Sequence, residues 1–233
     1  MAGTAKPIPK GREEHRITPI IRGMIRGFPE EHIVEFSREP AAIRALEEML
    51  GNATEEAYWL NALVALGQLA PYSEILAGDL IRFAENPGPY QAPKSKKDKK
   101  EKITSAAFFA KTRVPLILGH WLRSSGACTT PRETSQVYFV SRPDKVDKVL
   151  EYLSNLLDLS DADARSDRNW RSPANFPRGT ALSQLLAERA IEGLGVSSCP
   201  AGEDILRRRR QRSGSDDPLR GALDRALGAV AEP

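Results

Sequence analysis

Apolar residues recur along this chain at spacings of three and four. Ile17, Ile20, Ile21, Met24, Ile25 and Phe28 form one helical stripe, with Thr18 and Pro19 at its start and Pro29 as its end. Ile43, Leu46 and Leu50 predict a second helix over Pro40 to Leu50, stopped by Gly51. Between Glu55 and Ala70 the residues Trp59, Leu60, Ala62, Leu63, Val64, Leu66 and Leu69 nearly encircle the axis, so this helix is expected to be covered on more than one side. Pro71 ends it. Ser73 caps a successor whose apolar face is narrower, made of Leu76, Leu80, Phe83 and Ala84.

The pattern breaks over 87–102, where Pro87, Gly88, Pro89 and Pro93 lead into a lysine tract, and this reads as loop or linker. Helical character resumes at Ala106 and continues through Val114, Ile117, Leu118, Trp121 and Leu122, with Pro115 expected to kink it. Gln136 to Val140 has strand propensity but no partner strand, and reads as extended loop. Pro143 and Asp144 open a helix carrying Val146, Val149, Leu150, Leu153 and Leu157. After a polar loop to Gly179, Thr180 caps a helix ended by Gly193 and Gly195; Glu203 to Arg212 and Asp217 onward supply two more. About eight helices and no convincing sheet predict an all-α fold.

A Leu-Gly pair recurs, at Leu66-Gly67, Leu118-Gly119 and Leu194-Gly195, each near the end of an apolar helix. The first two are 52 residues apart, or 36 once the 16 residues of 87–102 are removed, close to the period of helical-hairpin repeats. The segment Asn52 to Asn86, with its ALGQLA core, short turn and second helix, resembles a HEAT repeat. KTRVPLILGHWL, Lys111 to Leu122, looks like a first repeat helix, with Pro115 at the kink such helices carry, and Ala181 to Gly195 is a fainter third. The resemblance implies helical hairpins stacked as a short α-solenoid. One domain would span 16–231, after an N-terminal tail at 1–15, with loop insertions at 87–102, 124–143 and 158–179. Motifs of this kind record packing, so the resemblance points to architecture and leaves function open.

Charge adds a second theme. The 233 residues carry 34 basic and 31 acidic side chains, a net +3. Lys94, Lys96, Lys97, Lys99, Lys100 and Lys102 against Asp98 and Glu101 contribute +4, and Arg207, Arg208, Arg209, Arg210 and Arg212 contribute +5, which leaves −6 for the rest. Such tracts suit phosphate contacts or a solvated surface; without interleaved aromatics they do not form a base-stacking platform. In the loop 158–179, Arg168, Trp170, Arg171, Phe176 and Arg178 are the residue types that anchor interfaces, and equally those that pin a long loop to its own core. Cys128 and Cys199 are the only cysteines, with no paired spacing, which suggests reduced thiols. No apolar run approaches the ~20 residues of a membrane span, and the start lacks a secretion signal, so the chain is expected to be cytoplasmic.

Catalytic patterns are missing. There is no GxxxxGK[ST], HExxH or GxSxG, and Gly193-x-Gly195 follows a helix where a dinucleotide loop would follow a strand. Asp161, Asp163 and Asp167 lack the remaining ligands of a calcium loop. Cys128 with His120 is a faint nucleophile-base pairing, and the Glu13-Glu14-His15 and Glu30-Glu31-His32 triplets hold metal-capable groups at positions where a helix dipole already favours acids. The sequence therefore predicts a non-enzymatic scaffold binding a protein partner, with nucleic acid as the alternative through the two basic tracts, and with no cofactor or metal.

Overall fold

A computed structural model describes residues 14–24, 28–37, 39–69, 76–85, 90–91, 102–103, 109–125, 143–160 and 182–231. Its helices are α1 (Ile17–Gly23), α2 (Glu30–Phe36), α3 (Pro40–Gly51), α4 (Trp59–Leu69), α5 (Leu76–Glu85), α6 (Val114–Ser124), α7 (Pro143–Asp158), α8 (Leu182–Ser197), α9 (Pro200–Arg212) and α10 (Arg220–Ala231), with a 3-10 turn at Ala53–Tyr58. The expected all-α class holds for the described residues. The exception is one two-residue antiparallel ladder, β1 (Tyr90–Gln91) with β2 (Lys102–Ile103), in the register Tyr90 to Ile103 and Gln91 to Lys102.

From α3 onward, consecutive helices alternate between two files. In one file α4 touches α6, α6 touches α8 and α8 touches α10; in the other α3 touches α5, α5 touches α7 and α7 touches α9. The files meet where α3 packs on α4, α5 on α6, α6 on α7, α7 on α8, α8 on α9 and α9 on α10. Helices α1 and α2 lean on α3 and α4. The apolar stripes explain this arrangement. Val146, Val149, Leu150, Leu153 and Leu157 of α7 are all buried, as are Ile43, Leu46 and Leu50 of α3.

The Leu-Gly pairs acquire a physical meaning here. Leu66, Leu118 and Leu194 are fully buried. Each following glycine admits the next helix of its file. A Cβ on Gly67 of α4 would meet the Ile117 side chain of α6 at 3.3 Å, one on Gly119 of α6 would meet the Gly193 carbonyl oxygen of α8 at 2.1 Å, and one on Gly195 of α8 would meet Ala226 of α10 at 3.0 Å. Gly193 is equally constrained, because its Cβ would fall 2.3 Å from the carbonyl oxygen of Pro115. Helices α6 and α8 therefore touch backbone to backbone.

Several sequence-based expectations are corrected. Pro115 does not kink a helix; it occupies the first turn of α6, where its missing N–H costs nothing. Gly193 and Gly195 do not stop α8, which runs on to Ser197 and turns at Ser198, whose φ of 49° is left-handed. The first helix begins at Ile17 and ends at Gly23, so Thr18 lies inside it and is no cap, and Glu30–Phe36 forms a helix of its own. The covering of α4 is incomplete, with Leu60 and Val64 exposed. Ser73, Thr180 and the Gln136 to Val140 stretch lie outside the described residues.

Two glycine substitutions separate packing from propensity. Gly119→Ala should lower stability by about 2 kcal/mol or more, because nothing but backbone movement relieves the overlap with Gly193. Gly78→Ala at an exposed position of α5, where a Cβ meets nothing within 4 Å, should raise it by about 0.5 to 1 kcal/mol. Urea unfolding of both variants checks the pair of signs.

Candidate binding surfaces

The arginine tract forms the last turns of α9, where cations favour the helix dipole. Most of it is turned back on its own chain. Arg207 donates from Nε to Glu203 one turn earlier at 2.7 Å. Arg209 donates from Nη1 to Ser213 Oγ at 2.7 Å and to Asp217 at 2.9 Å, and Arg210 pairs through Nε with Asp224 of α10 at 2.5 Å. Arg208 and Arg212 are exposed and take no part in these pairs.

The acids record the same contacts. Burial alone would raise the Asp217 carboxyl, but the Leu219 N–H, the Ser213 hydroxyl and the Arg209 guanidinium outweigh it and hold Asp217 below the ordinary carboxylate range. Arg210 holds Asp224 low as well, chiefly by its hydrogen bond. Through these pairs, α9 anchors the start of α10 and the turn that leads into it.

Among the other sequence candidates, Lys102 lies in β2, where it pairs with Gln91 of β1. Lys94, Lys96, Lys97, Lys99 and Lys100, and also Arg168, Trp170, Arg171, Phe176 and Arg178, fall outside the described residues. So do Cys128 and the Asp161, Asp163 and Asp167 group. Cys199, at the N-cap of α9, is disulfide-bonded, contrary to the expectation of reduced thiols. His120 is half-buried, and burial, reinforced by Arg123, lowers its pKa.

The histidines of the two Glu-Glu-His triplets, His15 and His32, meet in space around a ring, while Glu13 lies outside the described residues. The fully buried Phe36 has His15 at 6.0 Å and His32 at 5.9 Å between ring centroids, Phe28 at 6.4 Å and the Arg16 guanidinium at 4.9 Å from its centre. His15 bonds Glu39 at 3.1 Å and His32 bonds Glu35 at 3.0 Å, while Arg16 reaches both acids. This cluster fastens α2 and the start of α3 to α1. Among the described residues no group of three His, Cys, Asp or Glu could hold a metal ion.

Sequence reasoning missed a cavity of about 470 Å³ between α3 and α5, lined by Leu50, Leu80 and Phe83 together with Arg44, Glu47, Glu48, Asp79 and Arg82. Glu47 has one carboxylate oxygen, Oε1, buried without a hydrogen-bond partner. Burial raises its pKa despite the opposing fields of Arg82 and Arg44. The signal was present in the sequence, because Glu47 is four residues after Ile43 and three before Leu50, on the same inward stripe. Phe83 is held edge-on to Trp59 at 5.3 Å, and Trp59 donates from its indole to the Met49 carbonyl at 2.8 Å, so one wall is braced by α4. A second cavity of about 370 Å³ lies across α6, α8 and α10, with Leu116, Ile191, Val196 and Ala222 beside Glu188, Glu192 and Arg225.

Comparison of the chain with family models, curated proteins and solved structures gives no match. No helix among the described residues is long and apolar enough to cross a membrane.

The depressed Asp217 carboxyl makes a signed prediction. Its contribution is present at pH values above the ordinary carboxylate range and is lost as pH falls through its lowered folded-state value. Asp217→Asn should therefore cost about 1 kcal/mol at neutral pH, and the difference from wild type should shrink on acidification. Urea midpoints measured from neutral to acid pH decide it.

Proposed function

We propose that this protein is a non-enzymatic helical-repeat scaffold that holds a protein partner, its two files of helices forming a short α-solenoid of HEAT-like hairpins. One observation carries the reading: from α3 to α10 each helix touches the next-but-one in its own file. Stacked hairpins of this kind present the second helices side by side as an extended surface. Here those are α3, α5, α7 and α9, and the larger cavity opens between the first two of them. Among the described residues, Arg16, His15 and His32 around Phe36, and Arg209 and Arg210 against α10, are engaged in fastening the fold.

The alternative, nucleic-acid binding through the two basic tracts, is disfavoured at the arginine tract by the same pairs, while Lys94, Lys96, Lys97, Lys99 and Lys100 lie outside the described residues. Arg207, Arg209 and Arg210 already meet carboxylates of their own chain, which leaves Arg208 and Arg212 as the exposed remainder of the tract.

Site-specific photo-cross-linking tests the scaffold. Benzoyl-phenylalanine placed singly at Arg82 of α5, Lys148 of α7 and Arg208 of α9 should yield adducts with a common protein, and placement at Arg123 of α6 or Arg225 of α10 should yield few. Adducts with nucleic acid, or equal labelling from both files, would overturn the reading.

A further inference from the structure

We infer that Cys199 is bonded to Cys128 in a structural disulfide that ties the chain beyond α6 to the start of α9, and that this protein folds where thiols are oxidised. Cys199 is disulfide-bonded, and a single chain offers its sulfur one partner, because Cys128 is the only other cysteine. The bond joins positions 71 residues apart and encloses the whole of α7 and α8.

The fold brings the two positions within reach. Gly119 of α6 and Gly193 of α8 are in backbone contact. At ~1.5 Å of rise per helical residue, Ser124 lies ~8 Å beyond the first glycine and Ser197 ~6 Å beyond the second. Cys199 follows Ser197 by two residues, and the four residues after Ser124 that end at Cys128 extend up to ~14 Å. A bond between the sulfurs therefore requires no shift of either helix.

The turn that carries Cys199 is held by its own hydrogen bonds. Ser197 Oγ donates to the Leu194 carbonyl at 2.6 Å and accepts from the Cys199 N–H at 3.2 Å, while Ser198 takes its left-handed φ of 49°. The Cys199 carbonyl accepts from the Glu203 N–H at 2.8 Å and so opens α9.

Burial separates a lasting bond from a switch. Cys199 is only 4% exposed, which shields its sulfur from an attacking thiolate while the fold holds. Closing so long a loop also removes much conformational freedom from the unfolded chain. Lasting disulfides are rare where glutathione keeps thiols reduced, so the bond points to an oxidising setting in place of the expected cytoplasmic one. A bonded Cys128 has no thiolate to offer, and its pairing with His120 then carries no nucleophilic chemistry.

The bond forms by exchange with a disulfide oxidant, either oxidised glutathione or a dithiol oxidase in its disulfide form. One cysteine thiolate attacks the oxidant and displaces the first of its thiols; the second attacks the mixed disulfide and displaces the other. Two protons and two electrons pass from the cysteines to the oxidant, which leaves as two thiols.

The test begins with the cells that naturally make the chain, lysed in N-ethylmaleimide to trap the thiol state. Trypsin releases Cys128 in residues 124–132 and Cys199 in residues 190–207. These peptides should run as one species, free of maleimide, and separate only after reduction. The purified full-length protein should keep the bond in a hundredfold excess of reduced over oxidised glutathione. Cys128→Ser should melt about 5 to 15 °C lower than wild type, and Cys128→Ser with Cys199→Ser should match it, since both lose the same bond. If the variants do not fold, the wild-type peptide map and the glutathione titration decide. Separate maleimide-labelled peptides, a dimer joined through Cys199, or loss of the bond in that glutathione excess overturns the inference.

Discussion

The contact on which the rest of this fold depends is the meeting of α6 and α8 at Gly119 and Gly193, where two backbones approach without side chains between them. Close approach lets the flanking side chains on both sides interlock. Leu118, Trp121 and Leu122 from α6 and Ala190, Ile191 and Leu194 from α8 are all buried around it. Both neighbours in the same file then follow: α4 reaches α6 across Gly67, and α10 reaches α8 across Gly195. The helices of the other file lie against the seams that result. A glycine in a helix interior is unfavourable by about 1 kcal/mol for intrinsic reasons, so four such positions in one file, Gly67, Gly119, Gly193 and Gly195, indicate that proximity outweighs propensity here.

That balance explains what was legible in the sequence and what was not. The stripes of α3, α5 and α7 were readable because their inward residues follow helical spacing, and Ile43, Leu46, Leu80, Ala84, Val149 and Leu153 are buried as that spacing requires. The recurrence of Leu-Gly was readable as a pattern, but its cause was misassigned. Read locally, a glycine near the end of an apolar run signals termination, whereas Gly193 and Gly195 lie inside α8, held in helical conformation by neighbours distant in sequence. Pro115 was misread for the converse reason. The helix starts one residue before it, and a proline in the first turn is indistinguishable from a kink until the start is known.

The candidate chemistry was less legible still. A run of five arginines within six positions looks like free charge, and nothing in the run reveals that Asp217 and Asp224 come back to meet it. The Glu-Glu-His triplets look like ligands because their composition is visible and Phe36, the residue that gathers their histidines, is remote from His15 in sequence. Glu47 is the opposite case. Its place on the inward stripe was visible, but a glutamate among leucines on a helix is usually an edge position, and only the packing of α5 against α3 turns it into a half-buried acid.

The pairing of α9 with α10 makes the seating of the last helix sensitive to ionic strength. Leu219 and Leu223 seat the last helix, yet Arg210 with Asp224 and Arg209 with Asp217 fix its angle of departure from the turn. Exposed pairs such as the first are screened by salt, while buried leucine contacts are not. Raised salt thus weakens the tie between α9 and α10 while the buried leucines and the glycine seam between α6 and α8 hold as before.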